Sequence, residues 1–171
     1  MKATFFVLGN KAEVYPDIIK KIHNDGHQIG NHTYDHRLLR GLSDEEIREQ
    51  IEKTNKIIKN IIGKEPTILR PGYGMYNNKV LRNSEMPIIL WSIDSKDWRI
   101  RNSDRLFRNI INKIKDGDII LMHDIFERSI EVALMIIDDL QEKGFEFVTI
   151  ERLAKIKGIE LISDEKYFYF R

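Results

Sequence analysis

Two histidines four residues apart, His32 and His36, are the strongest chemical signal in this chain. On a helix, side chains at positions i and i+4 lie on the same face, so we expect the two imidazoles to bind one divalent metal ion together. Such a pair is weak evidence when it stands alone, because single histidines are often core or solvated residues. We expect those ordinary roles for His23 and His27.

Three further polar motifs follow, each at or just after the end of a predicted strand: Arg70-Pro71-Gly72-Tyr73-Gly74, Asp94-Ser95-Lys96-Asp97-Trp98 and Leu121-Met122-His123-Asp124. In α/β proteins, ligands gather at the carboxyl ends of parallel strands. Four polar motifs at four strand ends are harder to obtain by chance than any one of them. The sequence therefore predicts a functional site at this rim.

The elements that must position these motifs alternate between short apolar runs and amphipathic helices. The apolar patterns predict strands over residues 3–8, 67–69, 88–93, 119–122 and 145–150 and helices over 15–24, 43–62, 103–114 and 130–143, with a short helix near residue 152. Ser43 and Glu46 form a capping box at the start of the most regular helix. Repeated βα units predict a mostly parallel sheet with helices outside it.

Composition is that of one soluble globular domain, which we place over residues 1–171. The chain is 42% hydrophobic and 32% charged, and its formal charge of +1 gives no large basic excess that would indicate nucleic acid binding, although a local patch remains open. No apolar run approaches the length of a membrane span. Without cysteine, a metal site can use only oxygen and imidazole ligands.

The ordered motifs resemble those of the polysaccharide deacetylases, carbohydrate esterase family four. The resemblance extends from Lys2-Ala3-Thr4-Phe5-Phe6 to Val148-Thr149-Ile150 and is nearest to peptidoglycan N-acetylglucosamine deacetylases. It implies a distorted (β/α) barrel, and this chain would lack the first strand and helix of that barrel. It also implies hydrolysis of N-acetyl groups on a glycan, at an extracellular or cell-envelope location; chitin oligomers, xylan and other acetylated glycans remain alternatives to peptidoglycan.

The resemblance also implies roles for the motif residues. His32 and His36 would bind a divalent cation, zinc or else cobalt, nickel or manganese. His123 would act as the general acid that protonates the leaving amine, with Asp97 keeping its imidazole protonated. Arg70 would orient the catalytic base. A surface cation at Arg70 and a core histidine at His123 are the corresponding structural interpretations.

Three residues would contact the substrate by the same resemblance. The backbone N–H of Tyr73 would stabilise the oxyanion, while Trp98 and Leu121 would line the acetyl pocket and sugar groove. Trp98 and Leu121 could equally be core residues. Gly72 stands where many relatives have proline, so we expect a looser loop there.

The Thr-Phe-Asp-Asp-Gly-Pro type motif of the family, which supplies the catalytic base and a third metal ligand, is not among these 171 residues. We therefore expect a shortened enzyme with weak metal binding and little or no activity, or alternatively a non-catalytic glycan- or metal-binding domain; a partner chain could also supply the missing strand. The predicted strand at residues 3–8 would have an uncovered edge, which favours self-association.

Overall fold

The computed structural model describes all residues from 1 to 171. Its helices are α1 (Gly9–Val14), α2 (Pro16–Asn24), α3 (Asp44–Ile62), α4 (Asn78–Ser84), α5 (Ser103–Ile111), α6 (Glu127–Glu142) and α7 (Ile150–Ile156). Its strands are β1 (Thr4–Val7), β2 (Gln28–Asn31), β3 (Ile88–Ile89), β4 (Ile93–Asp94), β5 (Ile120–Leu121) and β6 (Lys166–Tyr167).

The chain divides into two compact units. The first unit comprises Lys2–Leu90 and Thr149–Tyr167, and the second comprises Trp91–Val148, Phe168–Arg171 and Met1. The single domain that we expect over residues 1–171 stays a prediction.

The first unit is built on parallel strand pairing. Strand β1 pairs with β2, isolated bridges join Asn31 to Leu69 and Leu69 to Ile88, and β3 pairs with β6. These pairings are all parallel, as the βα alternation predicts. Helix α3 carries the predicted capping box at Ser43 and Glu46 and ends at a left-handed Gly63 with φ of 81°. Its buried face includes Ile47, Ile51 and Ile58.

The second unit consists of the parallel pair β4 and β5 with helices α5 and α6. The core between the helices is aliphatic and fully or nearly fully buried: Leu106, Ile110, Val132, Ile136 and Leu140. Helix α5 is capped by Asn102, whose side chain accepts a hydrogen bond from Arg105 N–H at 2.8 Å.

Three predicted strands differ from the structure. Over residues 67–69 only isolated bridges at Leu69 form. The strand expected over residues 88–93 is interrupted between Ile89 and Ile93, and no strand forms over residues 145–150. Phe145 and Phe147 instead pack half-buried against the core of the second unit, so their apolar character serves packing without backbone pairing. Near the end of the chain, Tyr167 pairs with Ile89 of β3, whereas Phe170 is buried in the second unit.

Strand β1 is only half-buried, although its apolar sequence predicts burial on both faces. Among all 171 described residues, β2 is the only strand that pairs with it. Tyr167 of β6 pairs with Ile89 of β3 and not with β1. Self-association through β1 stays a prediction.

Candidate active site: a histidine loop and a carboxylate–imidazole pair

The histidine loop, residues 32–36, directly follows β2 and is not helical. The expectation of a shared helical face is therefore wrong. Thr33 and His36 both adopt left-handed backbone angles, with φ of 68° and 66°. Two such residues so close together turn the chain sharply. This turn, and not helical periodicity, brings the two imidazoles together.

Buried amide side chains hold the histidine loop in this conformation. The Asn31 amide donates to the Ile51 carbonyl at 2.9 Å and to the Asn55 side chain at 2.7 Å, while its oxygen accepts from Thr33 N–H at 2.7 Å. Gln50 of α3 adds an acceptor for Tyr34 N–H at 3.0 Å. Because the amides are buried, these bonds compete with little water, and α3 determines where the loop lies.

The two imidazoles of the loop lie next to each other. The ring centroids of His32 and His36 are 4.9 Å apart with an interplanar angle of 76°, and the His36 ring contacts Tyr73 at 4.5 Å. His32 Nδ1 lies 2.6 Å from the Arg70 carbonyl oxygen. A carbonyl can only accept, so Nδ1 carries the proton and Nε2 carries the lone pair. This is the tautomer required of an Nε2 metal ligand.

These two residues fit a divalent cation as a partial ligand set. Two imidazole nitrogens bound to one zinc at about 2.0–2.1 Å are at most about 4 Å apart, a spacing compatible with the observed ring separation. No group of three or more His, Asp or Glu residues in the 171-residue chain is arranged to hold a metal ion. The protein side chains described here therefore offer two donors.

Arg70 is buried beneath this loop. Its Nε donates to the Ile89 carbonyl and its guanidinium also donates to the Leu90 carbonyl, both at 3.0 Å, and it lies 4.0 Å from the centre of the Phe6 ring. Burial lowers the pKa of Arg70 to about 9, because the charged form loses hydration. Arg70 is thus an interior cation hydrogen-bonded to the carboxyl end of β3, and the interpretation as a surface cation is wrong.

Gly72 is placed by a close approach and not by loop flexibility. A Cβ atom at this position would lie 3.1 Å from the His36 carbonyl oxygen and 3.2 Å from that of Arg37. A side chain would therefore press on the histidine loop. The adjacent Tyr73 has a φ of 60° and a largely exposed side chain.

The second cluster is a carboxylate–imidazole pair in the second unit. Asp97 is fully buried, and its Oδ1 lies 2.7 Å from His123 Nδ1 while its Oδ2 accepts from His123 N–H at 2.7 Å. Trp98 N–H also donates to Oδ1, at 3.0 Å. Burial alone raises the pKa of Asp97, but the hydrogen bonds from His123 and its charge outweigh burial and hold the pKa below its usual value.

The remaining predicted residues of this unit lie around the pair. Leu121 is buried in β5 and Trp98 is 56% exposed, so the packing interpretation suits Leu121 better than Trp98. Asp94 accepts from Lys96 N–H at 2.9 Å, which makes it a cap of the turn. Arg128, which the sequence analysis did not select, donates to the Asp97 carbonyl at 3.1 Å and so fixes the same turn.

Comparison with known proteins decides the family. A family model described as polysaccharide deacetylase matches residues 1–86, half of the chain. The chain belongs to the polysaccharide deacetylase family.

Relatives in this family are similar to the chain along most of its length. The chain is 38% identical over 155 residues, 91% of its length, to the peptidoglycan-N-acetylmuramic acid deacetylase PdaC of Bacillus subtilis. It is 38% identical over 168 residues, 98% of its length, to the peptidoglycan-N-acetylglucosamine deacetylase PgdA of Listeria monocytogenes. The chain spans 33% and 35% of those proteins, about one third of their length.

Solved structures of relatives confirm the predicted fold class of the chain. A family 4 acetyl xylan esterase from Clostridium thermocellum, in complex with a cobalt ion, superposes with a TM-score of 0.93 at 29% identity. The match covers 98% of this chain and 85% of the esterase chain. The chain therefore has the α/β fold of these enzymes. None of its helices is both long and apolar enough to cross a membrane.

The sequence carries a signal for residues of α3 that help to position the histidine loop. Gln50 and Thr54 occupy the same helical stripe of α3 as Ile47, Ile51 and Ile58, and all five are buried. A polar residue on a predicted apolar stripe needs a hydrogen-bond partner. Gln50 finds that partner in the histidine loop, and a search for polar residues on apolar stripes would have selected it.

Proposed function

We propose that this chain is a metal-dependent hydrolase that removes N-acetyl groups from N-acetylglucosamine in peptidoglycan or a chitin-like glycan. The observation that carries the proposal is the pair formed by buried Asp97 and His123 at 2.7 Å. A paired imidazole near an exposed aromatic residue suits proton transfer to a departing amine. The peptidoglycan specificity named for PdaC and PgdA supports the substrate class.

His32 and His36 would hold the divalent cation, for which we propose zinc, with cobalt, nickel and manganese as alternatives. When bound, the cation supplies a Lewis acid for the acetamide carbonyl. The hydrogen bond of His32 Nδ1 to the Arg70 carbonyl keeps the Nε2 lone pair available and the ring in place. The cobalt ion in the Clostridium thermocellum relative supports a divalent metal in this family.

His123 would deliver the proton that the reaction needs at the leaving nitrogen. Its Nδ1 is bound to Asp97, so Nε2 is the nitrogen able to donate to substrate. When the C–N bond of the acetamide breaks, the bonding electrons stay on nitrogen, and a proton from Nε2 converts the leaving group into a neutral amine. The Asp97 carboxylate stabilises the imidazolium before that transfer.

The other predicted residues would position the reacting groups. The Tyr73 backbone N–H would donate to the developing oxyanion. Tyr73 has a left-handed backbone conformation at a tight turn. Trp98 would offer an exposed ring to a sugar, and Leu121 would form the apolar floor beneath the acetyl methyl group. Arg70 would be a positioning residue. Its buried side chain would hold in place its own backbone carbonyl, which accepts from His32 Nδ1.

The attacking water also needs a base. Asp35 is the carboxylate nearest to the histidines in sequence, and its Oδ2 is paired with Arg37 Nε at 3.1 Å while its Oδ1 is buried without a hydrogen bond. A positioned base contributes about 10²–10⁴-fold to such reactions. We propose that the 171 residues alone hydrolyse acetamides slowly for this reason.

The second candidate is a non-catalytic domain that binds glycan or metal. The two-donor ligand set favours it. A catalytic zinc site has three protein ligands, and two imidazoles alone bind a cation more weakly. Where the ligand is a glycan, under either function, we propose a cell-envelope or extracellular location.

Acetate release from N-acetylglucosamine oligosaccharides, with zinc or cobalt present, tests the proposal. The product amine is counted by mass spectrometry for the native chain, for His123→Gln and for His23→Gln, a control away from both clusters. We expect slow release that His123→Gln removes and His23→Gln preserves. Binding of the oligosaccharide without any release would favour the non-catalytic domain, and release unaffected by His123→Gln would refute the assigned acid.

A further inference from the structure

A cationic cavity of about 930 Å³ lies in the second unit, beside the turn that carries Asp97. Six exposed cations line it: Lys96, Arg99, Arg101, Arg105, Arg108 and Lys113. No carboxylate lines it. None of the six cations forms an ion pair with an Asp or Glu side chain anywhere in the 171 described residues.

The charge of this cavity is local and not a property of the whole chain. Residues 96–113 contain six of the 28 basic residues and two of the 27 acidic ones, which gives this segment a net charge of +4 and the rest of the chain −3. One of the two acids, Asp97, is buried and bonded to His123. Only Asp104 offsets the charge at the surface.

The local backbone places these cations on one surface. Lys96 adopts a left-handed φ of 58°, and the N–H groups of Arg99 and Ile100 both donate to its carbonyl, at 2.9 and 2.8 Å. In α5, Arg105 and Arg108 are three residues apart and so share a face, opposite the buried Leu106 and Ile110. Like charges at this spacing destabilise a helix unless something neutralises them.

The composition of the cavity indicates what would neutralise the charge. Four of the six cations are arginines, whose planar guanidinium groups bind carboxylates and phosphates in a bidentate manner. No aromatic side chain lines the cavity, whereas proteins that bind single-stranded nucleic acid usually stack bases on aromatic rings. Anionic groups attached to a sugar backbone fit this surface better than nucleobases do.

We propose that this surface binds anionic glycan strands and thereby favours charged over neutral substrates. The inference rests on the proposed function, because the glycan bound at this surface would be the substrate on which the Asp97–His123 pair acts. The shared chemistry is a polymer of sugar or sugar-alcohol units with regularly spaced carboxylate or phosphate groups. Lys96 adjoins Asp97 in the chain, so a strand bound in the cavity would reach the edge of that pair.

Binding to metal-free protein tests the proposal without requiring turnover. Four probes of equal length are compared by fluorescence anisotropy in chelator: a hyaluronan oligosaccharide bearing carboxylates, an oligomer of glycerol phosphate, a neutral N-acetylglucosamine oligosaccharide and single-stranded DNA. We expect either anionic glycopolymer to bind at least about tenfold more tightly than the neutral one, with affinity that falls as salt screens the charges. The tighter of the two identifies carboxylate or phosphate as the preferred group.

Matched variants locate the binding surface. Arg105→Gln with Arg108→Gln removes two charges from the cavity, and Lys64→Gln with Arg82→Gln removes two exposed charges outside it. We expect the first pair to weaken hyaluronan or glycerol phosphate binding about tenfold or more and the second pair to leave it unchanged. Circular dichroism melting confirms that both variants are folded.

Three results would overturn the inference: no preference for anionic over neutral glycan, equal losses in the two double variants, or tighter binding of DNA than of either anionic glycopolymer. A failure of the proposed function is distinguishable, because it would remove acetate release while leaving this metal-free binding intact.

Discussion

The histidine loop and the Asp97–His123 pair place imidazoles in two different electrostatic settings. His32 donates from Nδ1 to a neutral backbone carbonyl, whereas His123 Nδ1 meets a buried carboxylate. A neutral acceptor fixes a tautomer without favouring a second proton, and a carboxylate favours the charged ring. The same side chain is thereby suited to metal ligation in one unit and to proton donation in the other.

The two settings also differ in how the chain maintains them. The histidine loop depends on left-handed backbone at Thr33 and His36 and on neutral amides at Asn31 and Gln50. The pair depends on one charge that accepts three hydrogen bonds. Substitutions should therefore affect metal affinity through geometry in the first unit and proton chemistry through charge in the second.

The largest expected effect is on metal binding. Replacing both ligands, His32→Ala with His36→Ala, should abolish detectable zinc or cobalt binding in titration calorimetry, because no third protein ligand is arranged nearby. His23→Ala provides the matched control and should bind like the native chain. Unchanged affinity in the double variant would refute the metal site.

The residues of the candidate site could be predicted from the sequence, but part of their arrangement could not. His32, His36, Asp97 and His123 were identified because strand ends and motif order bring functional residues together. The helical face expected for the histidines was wrong, because single-residue φ values above zero leave no periodic signal. Pairing between Asp97 and His123, 26 residues apart, came from family resemblance and not from spacing.

The fold shows the same division. Strong local signals, such as the Ser43–Glu46 capping box, were correct, whereas residues 145–150 proved apolar without being a strand. Phe145 and Phe147 satisfy their burial by packing on a helical core. Apolar content predicts burial, but pairing of the backbone depends on neighbours that are distant in sequence.

Removal of the buried charge should have the next largest effect. In Asp97→Asn, the N–H donors of His123 and Trp98 lose the carboxylate that accepts from them. We expect acetate release to fall about 10²–10⁴-fold and the free energy of unfolding to fall by about 2–3 kcal/mol. Asp104→Asn, an exposed charge in the same unit, is the control. Native release from Asp97→Asn in a mass-spectrometric assay would contradict the role of the pair.

A smaller effect should follow from loosening the histidine loop. Asn31→Ala removes hydrogen bonds to Ile51, Asn55 and Thr33 without touching a ligand, and should weaken zinc binding about 10–100-fold. The exposed Asn60→Ala on α3 should have no effect. If calorimetry gave equal affinities for the two variants, α3 would not be what positions the loop.

The smallest effect concerns acid stability. The folded-state pKa of Asp97 lies below its unfolded value of 3.8, so its stabilisation is complete above that pH and is lost as the pH falls through the folded-state value. In urea titrations, the unfolding free energy of Asp97→Asn should depend less on pH in the acid range than that of the native chain. The variant should take up to about one proton fewer on unfolding. An acid dependence equal to that of the native chain would contradict this coupling.

Nitrogen NMR of the imidazoles, recorded at neutral pH before and after zinc is added, tests the division between the two settings most directly. We expect zinc to shift the Nε2 resonances of His32 and His36, and we expect His123 to keep its proton on Nδ1 toward Asp97 with unchanged resonances. Zinc shifts at His123, or none at His32 and His36, would contradict this expectation.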